Sequence, residues 1–196
     1  MNKLIYCVLC FAGVMMFMGS CNSKQTEESE EVFNDSIQGT FFGVSFGADK
    51  EELINKFAER NLVPIKYLST DDFLPFHPIS SKRFTFGGLD WECLNVVLSN
   101  GKFYGIEFYN HLKDKAEAIE EGQSLLESIS AKYKLAKEEL KDSTTYLIYR
   151  GKSIKEHERE VLVYVCRYEA IDETIYYETS LRYVDRKYEV AVSDEL

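Results

Sequence analysis

Positive charge is what this chain is shortest of. Its 23 Lys and Arg face 33 Asp and Glu, for a net charge of −10 with the histidines neutral. Phosphate contacts need clustered Lys and Arg, and no basic cluster with interleaved aromatics occurs, so a nucleic-acid partner is not expected. Histidine is scarce too. His77, His111 and His157 lie far apart, and none sits in a His-Glu-x-x-His or His-x-His arrangement. His157, in Glu156-His157-Glu158, reads as part of a solvated charged turn rather than a metal ligand. Asp71-Asp72 lacks the spaced oxygens of a calcium loop. No metal or cofactor is expected. A Gly-x-Ser-x-Gly elbow is missing, as is a glycine loop able to cradle phosphate. Gly87-Gly88 reads as a bulge or a break between strands.

An uncharged run does occur at the start of the chain. Met1-Asn2-Lys3 is a short positive beginning, and Leu4 to Met18 follows without a charge. Small Gly19 and Ser20 then precede Cys21. A positive start, an apolar stretch and small residues before a cut describe a secretory leader over 1–20. The stretch is short of the about 20 residues a permanent span needs. Met18-Gly19-Ser20-Cys21 resembles a bacterial lipobox, with Met18 for the usual Leu and Ser20 for Gly or Ala. The resemblance implies a diacylglycerol thioether on Cys21, with an acyl group on the new N-terminus. Two or more such chains anchor a protein stably.

Five cysteines shrink to two once Cys7 and Cys10 leave with the leader and Cys21 takes lipid. Cys93 and Cys166 remain. In an oxidising compartment they can pair as a disulfide, or they are two small buried residues on neighbouring strands. Both fall inside strand patterns rather than at a helix start, so neither is expected as a nucleophile.

After Cys21 the residues to Ser36 are polar and acidic, with Glu27, Glu28, Glu30, Glu31 and Asp35. Such a stretch buries too little apolar area to order itself, and 21–36 is expected to be a tether. It resembles the acidic surface-export signal of Bacteroidota lipoproteins. Asp35-Ser36-Ile37 resembles the Asp-Ser/Thr-apolar site those bacteria O-glycosylate, which would put a glycan on Ser36; Asp142-Ser143-Thr144 fits it as well.

A single α+β domain is expected over 37–190, with a tail at 191–196. Thr40 to Phe46 is β-rich. Asp49 and Asp114 each open a helix with an Asp-x-x-Glu capping box. Leu53, Ile54, Phe57 and Ala58 stripe the first helix, and Ile119, Gly122, Leu126, Ile129 and Tyr133 the second. Pro64 marks an edge strand, and Ser69 to Lys82, with Pro75 and Pro78, reads as a loop. Leu89–Leu98 and Lys102–Tyr109 form a hairpin about Asn100-Gly101, both of which take positive φ readily. Strands follow at Thr144–Arg150, Glu160–Tyr168 and Thr174–Tyr183. The expected fold is two helices on one face of a mainly antiparallel sheet, with 40–110 and 111–190 as half-repeats.

Phe42-Gly43-Val44-Ser45-Phe46 runs into the Asp49 helix, Lys132-Tyr133 follows the second helix, and Tyr183-Val184-Asp185 follows the last strand. With these residues the layout resembles small Bacteroidota lipoproteins whose domain is like the β-lactamase-inhibitor-protein fold. The resemblance implies an architecture and an outer-membrane address, facing the periplasm or the cell surface. A shared fold carries no activity across.

Tyrosine is abundant where catalytic motifs are not. Tyr146, Tyr149, Tyr164, Tyr168, Tyr176, Tyr177 and Tyr183 crowd the last three strands. They are good strand residues and also good contact residues. Tyr164, Tyr168, Tyr176 and Tyr183 are the expected binding face. Trp91 suits either core or anchor. The expected function is a non-catalytic, lipid-anchored binding module of the cell envelope, meeting an envelope protein or glycan. The alternatives are a hydrolase using carboxylates such as Asp90, Glu92 and Glu107, or a structural accessory subunit.

Overall fold

The computed structural model describes residues 32–189 except 81, 141, 156, 157, 171 and 172. The leader at 1–20, Cys21, the tether up to residue 31, His157 and the tail at 191–196 lie outside the described residues.

The chain runs β1 (Phe33–Asn34), β2 (Thr40–Phe41), β3 (Val44–Ser45), α1 (Lys50–Ala58), β4 (Leu62–Pro64), β5 (Phe73–Pro78), β6 (Phe84–Phe86), β7 (Leu89–Trp91), β8 (Cys93–Ser99) and β9 (Lys102–Leu112). It continues through α2 (Lys115–Ser130), β10 (Ala136–Lys137), β11 (Thr145–Ser153), β12 (Arg159–Glu169) and β13 (Ile175–Asp185), then a short 3-10 turn at Arg186–Tyr188. The fold is α+β and dominated by its sheet. The strand order is β1-β11-β12-β13-β9-β8-β5-β4, with β10 added against β11. Every pair in this sheet is antiparallel except β1 with β11.

Local chemistry accounts for the best-defined joints. Asn100 and Gly101 take φ of 49° and 73°, the conformation a two-residue hairpin turn requires. Asp114 caps α2 by accepting from the Glu117 N–H at 2.9 Å. Asp49 makes no such bond; its carboxylate instead accepts from Lys102 Nζ at 2.7 Å.

Four strand expectations change. Phe33 and Asn34, the end of the expected tether, belong to the sheet. The Asn34 amide donates to the Lys134 and Lys152 carbonyls and accepts from the Lys134 N–H, which offsets the low apolar content of the segment. Thr40–Phe46 is a small hairpin, β2 with β3, turning at Phe42 (φ 53°) and Gly43 (φ 86°). Positive φ is costly for Phe42, but its ring packs edge-on against Phe57, Phe84, Phe86 and Phe108. Leu89–Leu98 divides at Glu92 into β7, which pairs with β6, and β8.

The proline-rich segment, expected to be a loop, contains β5 between β4 and β8. The Pro75 carbonyl accepts from the Ile65 N–H at 2.8 Å, so its donorless edge faces away from β8. Pro78 lies past the last β5–β8 pair, Phe76 with Leu94. Neither proline costs that ladder a bond.

The core is built on phenylalanine. Phe86 stacks on Phe108 at 4.1 Å and 4°. Phe41 meets Phe46, Phe86, Phe103, Phe108 and Tyr183. Trp91 is core rather than anchor, buried with its indole N–H on the Phe86 carbonyl. Against this core, α2 buries Ala118, Gly122, Leu125 and Ile129, with Ala118 and Leu125 in place of the expected Ile119 and Leu126, and the Thr179 hydroxyl donates to the Ala118 carbonyl at 3.1 Å.

Candidate functional site

Opposed residues in an antiparallel ladder point to the same face, so the register sorts the strand side chains. Val161, Val163 and Val165 share a face with Tyr183, Leu181 and Thr179 on β13, and with Ile106, Phe108 and Asn110 on β9. This is the face α2 covers, and a Cβ on Gly122 would lie 2.3 Å from Val165 Cγ2.

The face turned away from α2 is arranged in rows. Tyr168 opposes Tyr176. Cys166, Glu178 and His111 form the next row, and Tyr164, Ser180, Tyr109 and Cys93 the one after. Leu162, Arg182, Glu107, Asn95 and Pro75 follow, then Glu160, Val184, Gly105, Val97 and Phe73. Among the described residues the 3-10 turn at Arg186–Tyr188 lies against the last of these rows, where Tyr188 packs on the cluster of Phe73, Val97, Tyr104 and Val184.

The expected tyrosines divide between the faces. Tyr164, Tyr168 and Tyr176 stand together on the rows, each half-buried. Tyr183 does not join them. It is 2% exposed under Phe41 and Tyr133, and burial pushes its phenol well up. An odd spacing of seven residues along β13 places it opposite Tyr176. Tyr146 and Tyr177 meet at 5.9 Å, and Lys115 of α2 sits 3.8 Å from the Tyr146 ring centre.

Of the two alternatives for Cys93 and Cys166, the disulfide does not form across this face. Cys93 on β8 and Cys166 on β12 have β9 and β13 between them. Three strand spacings come to about 14 Å, whereas a disulfide needs Cα atoms within about 7 Å. Cys166 and His111 stand on either side of Glu178, their backbones about 10 Å apart.

The remaining expected residues are dispersed. Ser36 is exposed, just beyond β1. His77 turns Nδ1 to the Pro78 carbonyl. Asp90 accepts from Thr85 at the β6–β7 turn, and Glu92 pairs with Arg83. Neither is in the row that holds Glu107, so the three carboxylates do not converge.

The rows hold instead a polar group that the sequence marks only weakly. His111 lies against the rings of Tyr109, Tyr168 and Tyr176 at 5.2, 5.5 and 5.9 Å. Its Nε2 is 3.4 Å from Glu178 Oε2, and Ser180 donates to Glu178 Oε1 at 2.8 Å. Glu107 is 4% exposed and opposes Arg182, 5% exposed. Burial, then the Glu178 charge, pushes the Glu107 carboxyl up to about 7, against Arg182, Asn95 and His111. Burial lowers Arg182.

Further down, Glu160 binds Arg150 and Arg186. Burial acts to raise Glu160, and the two arginines overcome it and hold it below the usual carboxylate range. The signal for Glu107 and Arg182 was a charge set between apolar neighbours inside a strand: Ile106-Glu107-Phe108 and Leu181-Arg182-Tyr183. This face offers stacking surfaces, buried acceptors and one buried cation.

No protein-family model, no curated protein and no solved structure matches this chain.

Proposed function

We propose that the protein is a lipid-anchored lipoprotein of the outer membrane, and that its domain is a non-catalytic binding module meeting an envelope partner through the rows turned away from α2. The anchor reading draws on the leader and Cys21. The binding reading rests on one observation: Tyr164, Tyr168, Tyr176 and His111 share a sheet face with a buried polar group. Aromatic side chains with buried charged partners are the residues on which interfaces concentrate their affinity. We infer also that both helices share the other face and that the halves 40–110 and 111–190 repeat one helix-plus-sheet unit. Supporting this, Phe57 of α1 packs on Phe76 of β5 at 5.1 Å, while Gly122 of α2 meets Val165. On this reading the architecture is like the β-lactamase-inhibitor-protein fold.

Two experiments test the proposal. Mass spectrometry of the mature protein in membranes should find a lipidated Cys21 N-terminus, and Cys21→Ala should release the protein. An unmodified Cys21 would remove the anchor. Cross-linking in intact envelopes should capture a defined partner that Tyr168→Ala/Tyr176→Ala no longer captures. Capture by the double variant equal to that of the parent would count against this face.

A further inference from the structure

Two acceptor oxygens on the proposed binding face are buried and have no hydrogen-bond donor: Oε1 of Glu107 and Oδ1 of Asn95. They belong to one pair, because Asn95 Nδ2 donates to Glu107 Oε2 at 3.3 Å and the residues are opposed in the β8–β9 ladder. A buried acceptor left unserved is costly, and more so when it carries charge. Glu178, in the next row but one, differs: Ser180 serves one oxygen, and His111 stands 3.4 Å from the other.

The groups around Glu107 are Arg182 and Glu178 from β13, Asn95 from β8, and His111 from its own strand. Arg186 and Glu189, beyond β13, bear on Arg182 in turn. Two carboxylates and one buried arginine therefore meet here, and Glu107 Oε1 and Asn95 Oδ1 still accept no hydrogen bond. The chain as a whole is acidic, at net −10.

We propose that Glu107 and Asn95 form the receptor for an ammonium group, presented as a lysine side chain by a partner protein. This rests on the reading of the face given above and names the chemistry of its partner. An ammonium suits the two oxygens better than a guanidinium does. The second oxygen of Glu107 already accepts from Asn95, so no bidentate carboxylate edge is left for a planar fork, whereas a compact cation with three donors can serve two separate acceptors. The ring of Tyr109, one row away, gives the aliphatic stem a surface to lie on. Asn95 is half-exposed, and rotation of its amide admits the ammonium. With Glu107 raised to about 7, capture of a cation expels its proton, so binding tightens as pH rises through neutrality.

The test is carbon-13 NMR of the mature protein labelled at glutamate carboxyls. The Glu107 titration is followed with Nα-acetyl-lysine methylamide and with its norleucine counterpart, which has the same stem and no ammonium. The lysine compound should lower the Glu107 midpoint by a unit or more, a tenfold preference for the ionised form, and norleucine should leave it in place. Glu107→Gln should weaken saturable lysine binding at least tenfold, while Glu51→Gln on the exposed side of α1 should not, which separates the site from general acidity. A midpoint unmoved by lysine, or moved equally by both compounds, overturns the proposal, and this reading does not depend on the variant folding. If lysine fails while Tyr168→Ala/Tyr176→Ala still abolishes partner capture, the ammonium site falls and the binding face stands. If both fail, both fall.

Discussion

The native state resists the charge on Glu107, and that has a consequence for stability. Its folded value of about 7 lies above the ordinary 4.5. Between those values the folded chain holds a proton that the unfolded chain has released. Stability linked to this group is therefore present at low pH, falls as pH rises from about 4.5 to about 7, and levels off above that. Converted at 1.36 kcal/mol per unit, the loss is roughly 3 kcal/mol at most. Glu107→Gln, neutral and nearly isosteric, should flatten this slope in urea unfolding compared at pH 5 and pH 7.5. A slope of the same size in the variant would assign it to another group. Glu160 works in the opposite sense. Held low by Arg150 and Arg186, its contribution is present at neutral pH and lost only as pH falls through its depressed value, below the Glu107 window. Tyr183 shows what period two could already tell at this scale. Its odd distance from Tyr176 excludes a shared face, so grouping the two by composition overrode the geometry of the strand.

At the scale of elements, α2 meets the sheet through a glycine. Alanine at Gly122 would favour the helix by about 1 kcal/mol. Its Cβ, however, would stand 2.3 Å from Val165 Cγ2, and Val165 is fully buried. Overpacking costs about 1–3 kcal/mol, so Gly122→Ala should lower the melting temperature in spite of its helix propensity. A higher melting temperature would mean that α2 shifts freely on β12.

Elements legible in the sequence are those whose signal is local. Asn100-Gly101 specifies its turn through backbone conformation alone, and Asp114 caps its own helix. Elements hidden from the sequence depend on distant partners. Pro75 and Pro78 read as loop because nothing local says that their missing donors face away from the β8 ladder. Thr40–Phe46 reads as one strand because Phe42 accepts a positive φ only with four aromatic neighbours, all of them distant in the chain. The buried face of α2 meets residues far along the chain: Ala118 accepts from Thr179, 61 residues on, and Gly122 lies on Val165. The proposed binding face is legible in the same measure: Tyr164, Tyr168 and Tyr176 by composition and alternation, but the Glu107–Asn95 pair only once β8 and β9 are laid in register.

For the whole molecule, the decisive contact is between two groups of strands. β11, β12 and β13 form one meander and β9, β8, β5 and β4 the other, and β13 paired with β9 joins them into one sheet. Phe108 lies on that join, opposite Leu181 of β13 and Leu94 of β8. It also carries the β6–β7 hairpin, stacking on Phe86 and tilting against Phe84 and Trp91. A side chain that touches both strand groups and the hairpin over them couples their unfolding. Phe108→Ala should cost about 3–5 kcal/mol, the usual range for a fully buried phenylalanine. The loss should appear in one transition rather than two. Tryptophan fluorescence reports the hairpin through Trp91, and far-ultraviolet circular dichroism reports the sheet. Coincident midpoints in the parent, shifted together in the variant, would show a single cooperative unit. Midpoints that separate in the variant would mean that the β13–β9 pairing holds the two groups side by side without making their stabilities one.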